Sequence, residues 1–176
     1  MEFSVCGMLL KLSVDTLIAG VALIISIASL GTSIFSWRKA FRPLVTASVR
    51  THQAGNVMIA YDLVLLNSGQ IPARDITIST DPSLLNRALG EDASDDNRRK
   101  WLACFEPDRK IRILHNGDKI SCSFGTTKGE VGGFWRYKAS IPVEIAYSGW
   151  FGKQYTEKHE IQIIDSDSFT GFMWAK

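Results

Sequence analysis

The side chains in this sequence with the chemistry to move a proton, hold a metal or attack an electrophile fall into three groups. They are the histidines His52, His115 and His159, the cysteines Cys6, Cys104 and Cys122, and an acidic run (Glu91, Asp92, Asp95, Asp96) that leads into Arg98, Arg99 and Lys100. The histidines are isolated from one another and show no metal-ligand spacing. The cysteines are odd in number and include no Cys-x-x-Cys pair, which fits a reducing compartment better than a disulfide framework. Four carboxylates in a short span invite calcium, but the Asp-x-Asp-x-Asp-Gly order that turns ligands inward is missing, so the expectation is a solvated, disordered stretch of charge. There is no Gly-x-Ser-x-Gly elbow, Walker loop, His-Glu-x-x-His pair or dinucleotide fingerprint. KGEVGGF, from Lys128 to Phe134, is glycine-rich but opens no helix and so lacks a phosphate cradle. These patterns predict a protein that is not an enzyme and carries no cofactor.

Charge narrows the partners. Net charge is +2 with 22% charged residues, which argues against nucleic acid and leaves any electrostatic function local. Arg98, Arg99, Lys100, Arg109, Lys110 and Arg112 are the candidate contacts for an anionic ligand or a lipid head group. The competing reading pairs these bases with the neighbouring acids. Trp135, Tyr137, Trp150 and Phe151 are open to two readings, an exposed aromatic patch or core packing.

The elements that hold these residues begin with an uncharged apolar run from Thr16 to Trp37. At helical rise it spans roughly 33 Å, enough to cross a bilayer core of about 30 Å. Residues 1–15 are then an N-terminal flank, 16–37 a transmembrane helix and 38–43 a basic linker. The run is too long and its start too acidic for a signal peptide. Arg38, Lys39 and Arg42 follow the run and Trp37 sits at its end. The positive-inside tendency therefore predicts a single-pass inner-membrane protein with its C-terminal domain in the cytoplasm. Ala19, Ala22, Ser26, Ser29, Ser33 and Ser36 recur at alternating spacings of three and four. Such a small-residue stripe predicts helix self-association and a homo-oligomer, with chance composition as the alternative.

From residue 44 to 165 the pattern becomes short alternating runs, as in LVTASVR, NVMIAYDLVLL and RDITIST. Seven such runs predict an all-β antiparallel sandwich. In NSGQIPA, Asn67 can bond its own backbone, Gly69 can take a positive φ and Pro72 fixes the chain's return. Asn116 and Gly117 in HNGD read as a β-hairpin turn. Residues 81–110 form a partly helical insertion, in which Asp81 caps a helix begun by Pro82 and ended by Gly90. Trp101, Leu102 and Phe105 return to the core. Residues 166–176 are a tail containing Phe169, Phe172 and Trp174.

LVLLNSGQIPARDITI, ILHNGDKISCSF and VEIAYSGWFGKQYTEKHEIQI together resemble the immunoglobulin-like sandwich domains of the bacterial cell-adhesion-related (CARDB-like) type. Those domains have an Asn-x-Gly-x-x-x-Ala turn after the second strand and a tyrosine-bearing last hairpin. The whole chain is similar to small uncharacterised bacterial single-pass membrane proteins built this way. The expected function is a membrane-anchored scaffold whose partners are the bilayer and another protein. The alternative is a ligand-sensing membrane effector whose helices assemble into a bundle.

Overall fold

The computed structural model describes residues 14–165. The N-terminal flank through residue 13 with Cys6, the tail 166–176, and the side chains of Asp15 and Phe151 lie outside the described residues. The chain forms two compact units that meet in sequence at Ala40 and Phe41.

The first unit contains helix α1, Val14–Ala40. Leu17, Ile18, Val21, Leu23, Ile24, Ile25, Ile27, Leu30 and Ile34 are all exposed, so the helix is apolar around its whole circumference rather than along one stripe. Its stretch Thr16–Ala40, 25 residues, is long and apolar enough to cross a membrane. The helix runs past Trp37, which places Arg38 and Lys39 in its last turn rather than in a linker. Cations are favoured there because the final carbonyls carry partial negative charge.

The second unit is mostly β, with eight strands among its described residues where alternation predicts seven. These are β1 (Val45–Ala54), β2 (Ile59–Asn67), β3 (Ala73–Thr80), β4 (Ile111–Leu114), β5 (Lys119–Lys128), β6 (Gly132–Gly133), β7 (Ser140–Ser148) and β8 (Gln154–Gln162). The additional strand is β6, two glycines of KGEVGGF that pair with Thr127 and Lys128 of β5. One sheet has the order β1-β2-β5-β6 and the other β4-β3-β7-β8, antiparallel throughout. Alternation along the strands sends Val45, Tyr61, Leu63, Leu65 and Phe124 of the first sheet into one apolar core. There they join Ile76, Ile78, Ile141, Val143, Ile145 and Tyr147 of the second.

Chain crossings between the sheets alter two turn expectations. HNGD is not a hairpin, because β4 pairs with β3 and β5 pairs with β2, so the turn carries the chain from one sheet to the other. Gly117 does take the positive φ, +77°, that such a turn needs. NSGQIPA makes the other crossing, from β2 to β3. In it Gly69 serves close approach rather than positive φ: a Cβ there would collide with the Arg42–Leu44 backbone, 2.6 Å from the Pro43 Cα.

The insertion is ordered rather than a disordered run of charge. Helix α2 (Pro82–Ala88) starts as the sequence indicates, with the Asp81 carboxylate accepting from the Ser83 amide at 2.8 Å. The Ser83 hydroxyl and amide together hold that carboxyl below its usual range. The helix closes on Leu89, one residue before Gly90. Helix α3 (Asp95–Trp101) is capped by the Ser94 hydroxyl, with Asp95 and Asp96 at its positive end and Arg98, Arg99 and Lys100 at its negative end. Leu85, Ala88 and Leu89 are buried. Trp101 meets Phe134 edge-on at 4.8 Å, and Phe105 meets Phe124 at 6.0 Å. Trp135 is fully buried and donates its indole N–H to the Phe124 carbonyl, which removes it from any exposed aromatic patch; Trp150 is exposed.

Candidate functional site

The crossing at Asn67 is a structural node. Its side chain is fully buried, and Oδ1 accepts from the Leu44 amide at 3.2 Å and the Gly69 amide at 3.0 Å. Its Nδ2 donates to the carbonyls of Ile71 at 2.9 Å and Leu114 at 3.1 Å. The backbone of the same residue bonds Asp118 and Gly117, so both crossings interlock on one asparagine. Pro72 lies half-buried next to this node and Asn116 is exposed at the tip of the second crossing.

Tyr147 is buried and joins the start of β1 to the last hairpin. Its hydroxyl accepts from the Val45 amide at 3.5 Å and donates to the Pro43 carbonyl at 3.2 Å, with the Glu157 carboxylate 3.3 Å away. Burial, with Glu157 alongside, pushes this phenol up to about 12. Arg42 pairs with the same Glu157 oxygen at 3.2 Å. This places Arg42 in the contacts of the β unit, whereas Arg38 and Lys39 are exposed at the end of α1.

The six basic residues proposed for an anion have different surroundings, and of them Lys100 and Arg109 line a common depression. Arg98 is half-buried and structural, with Nε donating to the Ala93 carbonyl and a terminal nitrogen donating to Asn86. Arg99 and Lys100 both reach Asp96, at 2.8 and 3.6 Å, and Arg109 reaches Glu106 at 3.4 Å. Lys110 and Arg112 are exposed. Asp92 has a structural role: its carboxylate accepts from the Gly133 amide at 3.2 Å while its own amide donates to the Gly133 carbonyl. The histidines stay apart, His52 against Asp62 at 2.9 Å and His159 against the Val45 carbonyl at 3.3 Å. Among the described residues no three His, Cys, Asp or Glu side chains converge on a metal position. Along α1, Ala19, Ala22, Ser26, Ser29, Ser33 and Ser36 are all exposed, and the Ser26 hydroxyl donates to the Ala22 carbonyl at 2.8 Å.

One constellation that the sequence did not reveal lies under the insertion. Cys104, in the 3-10 turn Ala103–Phe105, and Cys122, on β5, both line a cavity of about 180 Å³ walled by Leu63, Leu65, Ile76 and Ile78. Both also line an adjoining depression of about 330 Å³ flanked by Lys100 and Arg109. The Cys104 thiol donates to the Trp101 carbonyl at 3.8 Å; the neighbouring Cys122 and burial raise Cys104, while Cys104 alongside lowers Cys122. Register explains how they meet. Cys122 stands opposite Leu63 and therefore points to the core side, yet β6 reaches β5 only at Thr127 and Lys128, so the strand edge at Cys122 is open. A sequence signal existed only in retrospect: Cys122 alternates in step with Ile120 and Phe124.

No curated protein matches the chain. A family model does match, over residues 8–167, which encloses α1 and the whole described β unit. The match gives no support to the cell-adhesion-related type that the turn residues resemble. The match covers helix and β unit alike, and the chain accordingly belongs to the family described as Domain of unknown function (DUF8453).

Proposed function

We propose that the protein is a single-pass membrane scaffold that holds an immunoglobulin-like β domain on the cytoplasmic face of the inner membrane, where it docks a protein partner without catalysing a reaction. The observation carrying this reading is α1: it is apolar on every side and none of its membrane-length stretch is buried. A helix of that kind is stable in lipid and costly in water. Arg38 and Lys39 at its C-terminal end support the cytoplasmic placement. Support for the immunoglobulin-like arrangement comes from strand order. The first, second and fifth strands share one sheet and the third, seventh and eighth share the other, with β4 at one edge and β6 as an addition.

The alternative, a ligand-sensing effector assembled through the small-residue stripe, has less behind it, because four of its six basic residues are divided among Asn86, Asp96 and Glu106. The test has two arms. Membranes from cells expressing the full chain are extracted at alkaline pH, and a reporter active only in the cytoplasm is fused after Lys176. Retention in the bilayer and an active reporter are expected, and a freely soluble chain overturns the reading. For docking, proximity labelling is compared between the native chain and one with Asp95, Asp96, Arg99 and Lys100 changed to alanine. That set spares Asp92 and Arg98, which the fold uses.

A further inference from the structure

We infer that Cys104 and Cys122 form a redox-active dithiol that a hydroperoxide closes to a disulfide, fastening the insertion onto the open edge of β5. The inference goes beyond the scaffold reading and does not depend on it. Two side chains from separate elements line the same two pockets, along a stretch where the core side of β5 is open to solvent. Cys122 is exposed and Cys104 half-buried, so the first is the more readily reached from outside. The depression above them, flanked by Lys100 and Arg109, gives a small polar oxidant access, whereas the cavity behind them is walled mainly by apolar side chains.

Exposure assigns the order of events, since Cys122 is the more accessible of the two. Cys104 alongside lowers the Cys122 thiol against the opposing effects of partial burial and Asp62, which favours thiolate there. In the first step the Cys122 thiolate attacks one peroxide oxygen; the O–O bond breaks, Cys122 becomes a sulfenic acid and hydroxide or alkoxide leaves. In the second, the Cys104 sulfur attacks the sulfenic sulfur, an S–S bond forms, and the hydroxyl leaves as water with the Cys104 proton. Two thiols are oxidised by two electrons and the hydroperoxide is reduced by two, giving water and water or an alcohol. In a reducing compartment a disulfide between such thiols is transient and reversible, as in redox sensors, rather than a permanent staple. The alternative for these side chains is inert packing, since buried cysteine behaves as a small hydrophobe.

The experiment uses the full chain in detergent micelles with Cys6→Ser, which removes the third thiol. The reduced protein is titrated with hydrogen peroxide, blocked with a maleimide and read by intact mass and peptide mapping. The expected result is a loss of two hydrogens, complete loss of maleimide labelling, and a single crosslinked peptide pair joining Cys104 to Cys122, all reversed by dithiothreitol. Cys104→Ser should leave a Cys122 sulfenic acid that dimedone traps, and Cys122→Ser should leave Cys104 unoxidised at the same dose. The proposal is overturned if the two cysteines go separately to sulfinic or sulfonic acids, if they crosslink between chains, or if both stay free at doses that oxidise cysteine in solution. Because the chain retaining both thiols is itself decisive, a variant that fails to fold does not weaken the test.

Discussion

Replacing Asn67 with alanine strands the Leu44 and Gly69 amides and the Ile71 and Leu114 carbonyls inside the protein. Unpaired buried polar groups cost about 1 to 3 kcal/mol each, so Asn67→Ala should destabilise the β unit by about 3 kcal/mol or more, read from urea unfolding. Asn67→Asp should be no milder, because it keeps the acceptor but sets a carboxylate oxygen against two carbonyls. Tyr147 supplies a second prediction. Its phenol titrates near 12 in the fold against 10.0 when unperturbed, so the neutral form is the one the fold favours. The stability this contributes is complete below pH 10 and is lost as pH rises through about 12. Tyr147→Phe should remove that contribution to alkaline unfolding, measured by circular dichroism against pH, and should also cost stability at neutral pH through the lost bonds to Val45 and Pro43. The sequence marks Asn67 as a turn former, since asparagine bonds nearby backbone. It does not show that one of the four partners lies on β4, because that contact belongs to the fold and not to the local chain.

Strands were the most legible elements. Tyr61, Leu63, Leu65, Ile76 and Ile78 alternate strictly and all are buried. The two-residue β6 carries no alternation, being two glycines, and nothing local distinguishes it from a loop. Helix α3 was hidden for a different reason. Its seven residues include five charges and no buried side chain, so no apolar stripe betrays it, and its order comes from the Ser94 cap, complementary end charges and the fastening at Asp92. That fastening is testable. Asp92→Ala should accelerate amide hydrogen exchange across residues 91–102 while lowering global stability by only about 1 kcal/mol, since it frees one backbone amide at the edge and leaves the core intact. An equal acceleration throughout both sheets would show that the insertion is integral to the core.

The chain divides after Ala40 into a unit whose helix is long and apolar enough to cross a membrane and a larger β-rich unit. A chain begun at Phe41 should stay in solution without detergent and give a β-type far-ultraviolet spectrum, whereas the full chain should sediment with membranes. Aggregation of the shorter chain would mean that the β unit needs the helix for its integrity. The membrane-length helix was readable from composition alone. The thiol pair was not, because Cys104 and Cys122 meet only once the insertion has folded over an edge that the shortness of β6 leaves open. The interlocked crossings at Asn67 carry one more implication, for the pathway by which the protein forms. Its four side-chain bonds reach Leu44, Gly69, Ile71 and Leu114, so the set is complete only after both crossovers have docked and the strands flanking them are in place. Contacts that need so many elements in place are expected to form after the rate-limiting barrier. Loss of the asparagine should therefore leave the refolding arm of a chevron nearly unchanged and steepen escape from the native basin, shortening survival under protease.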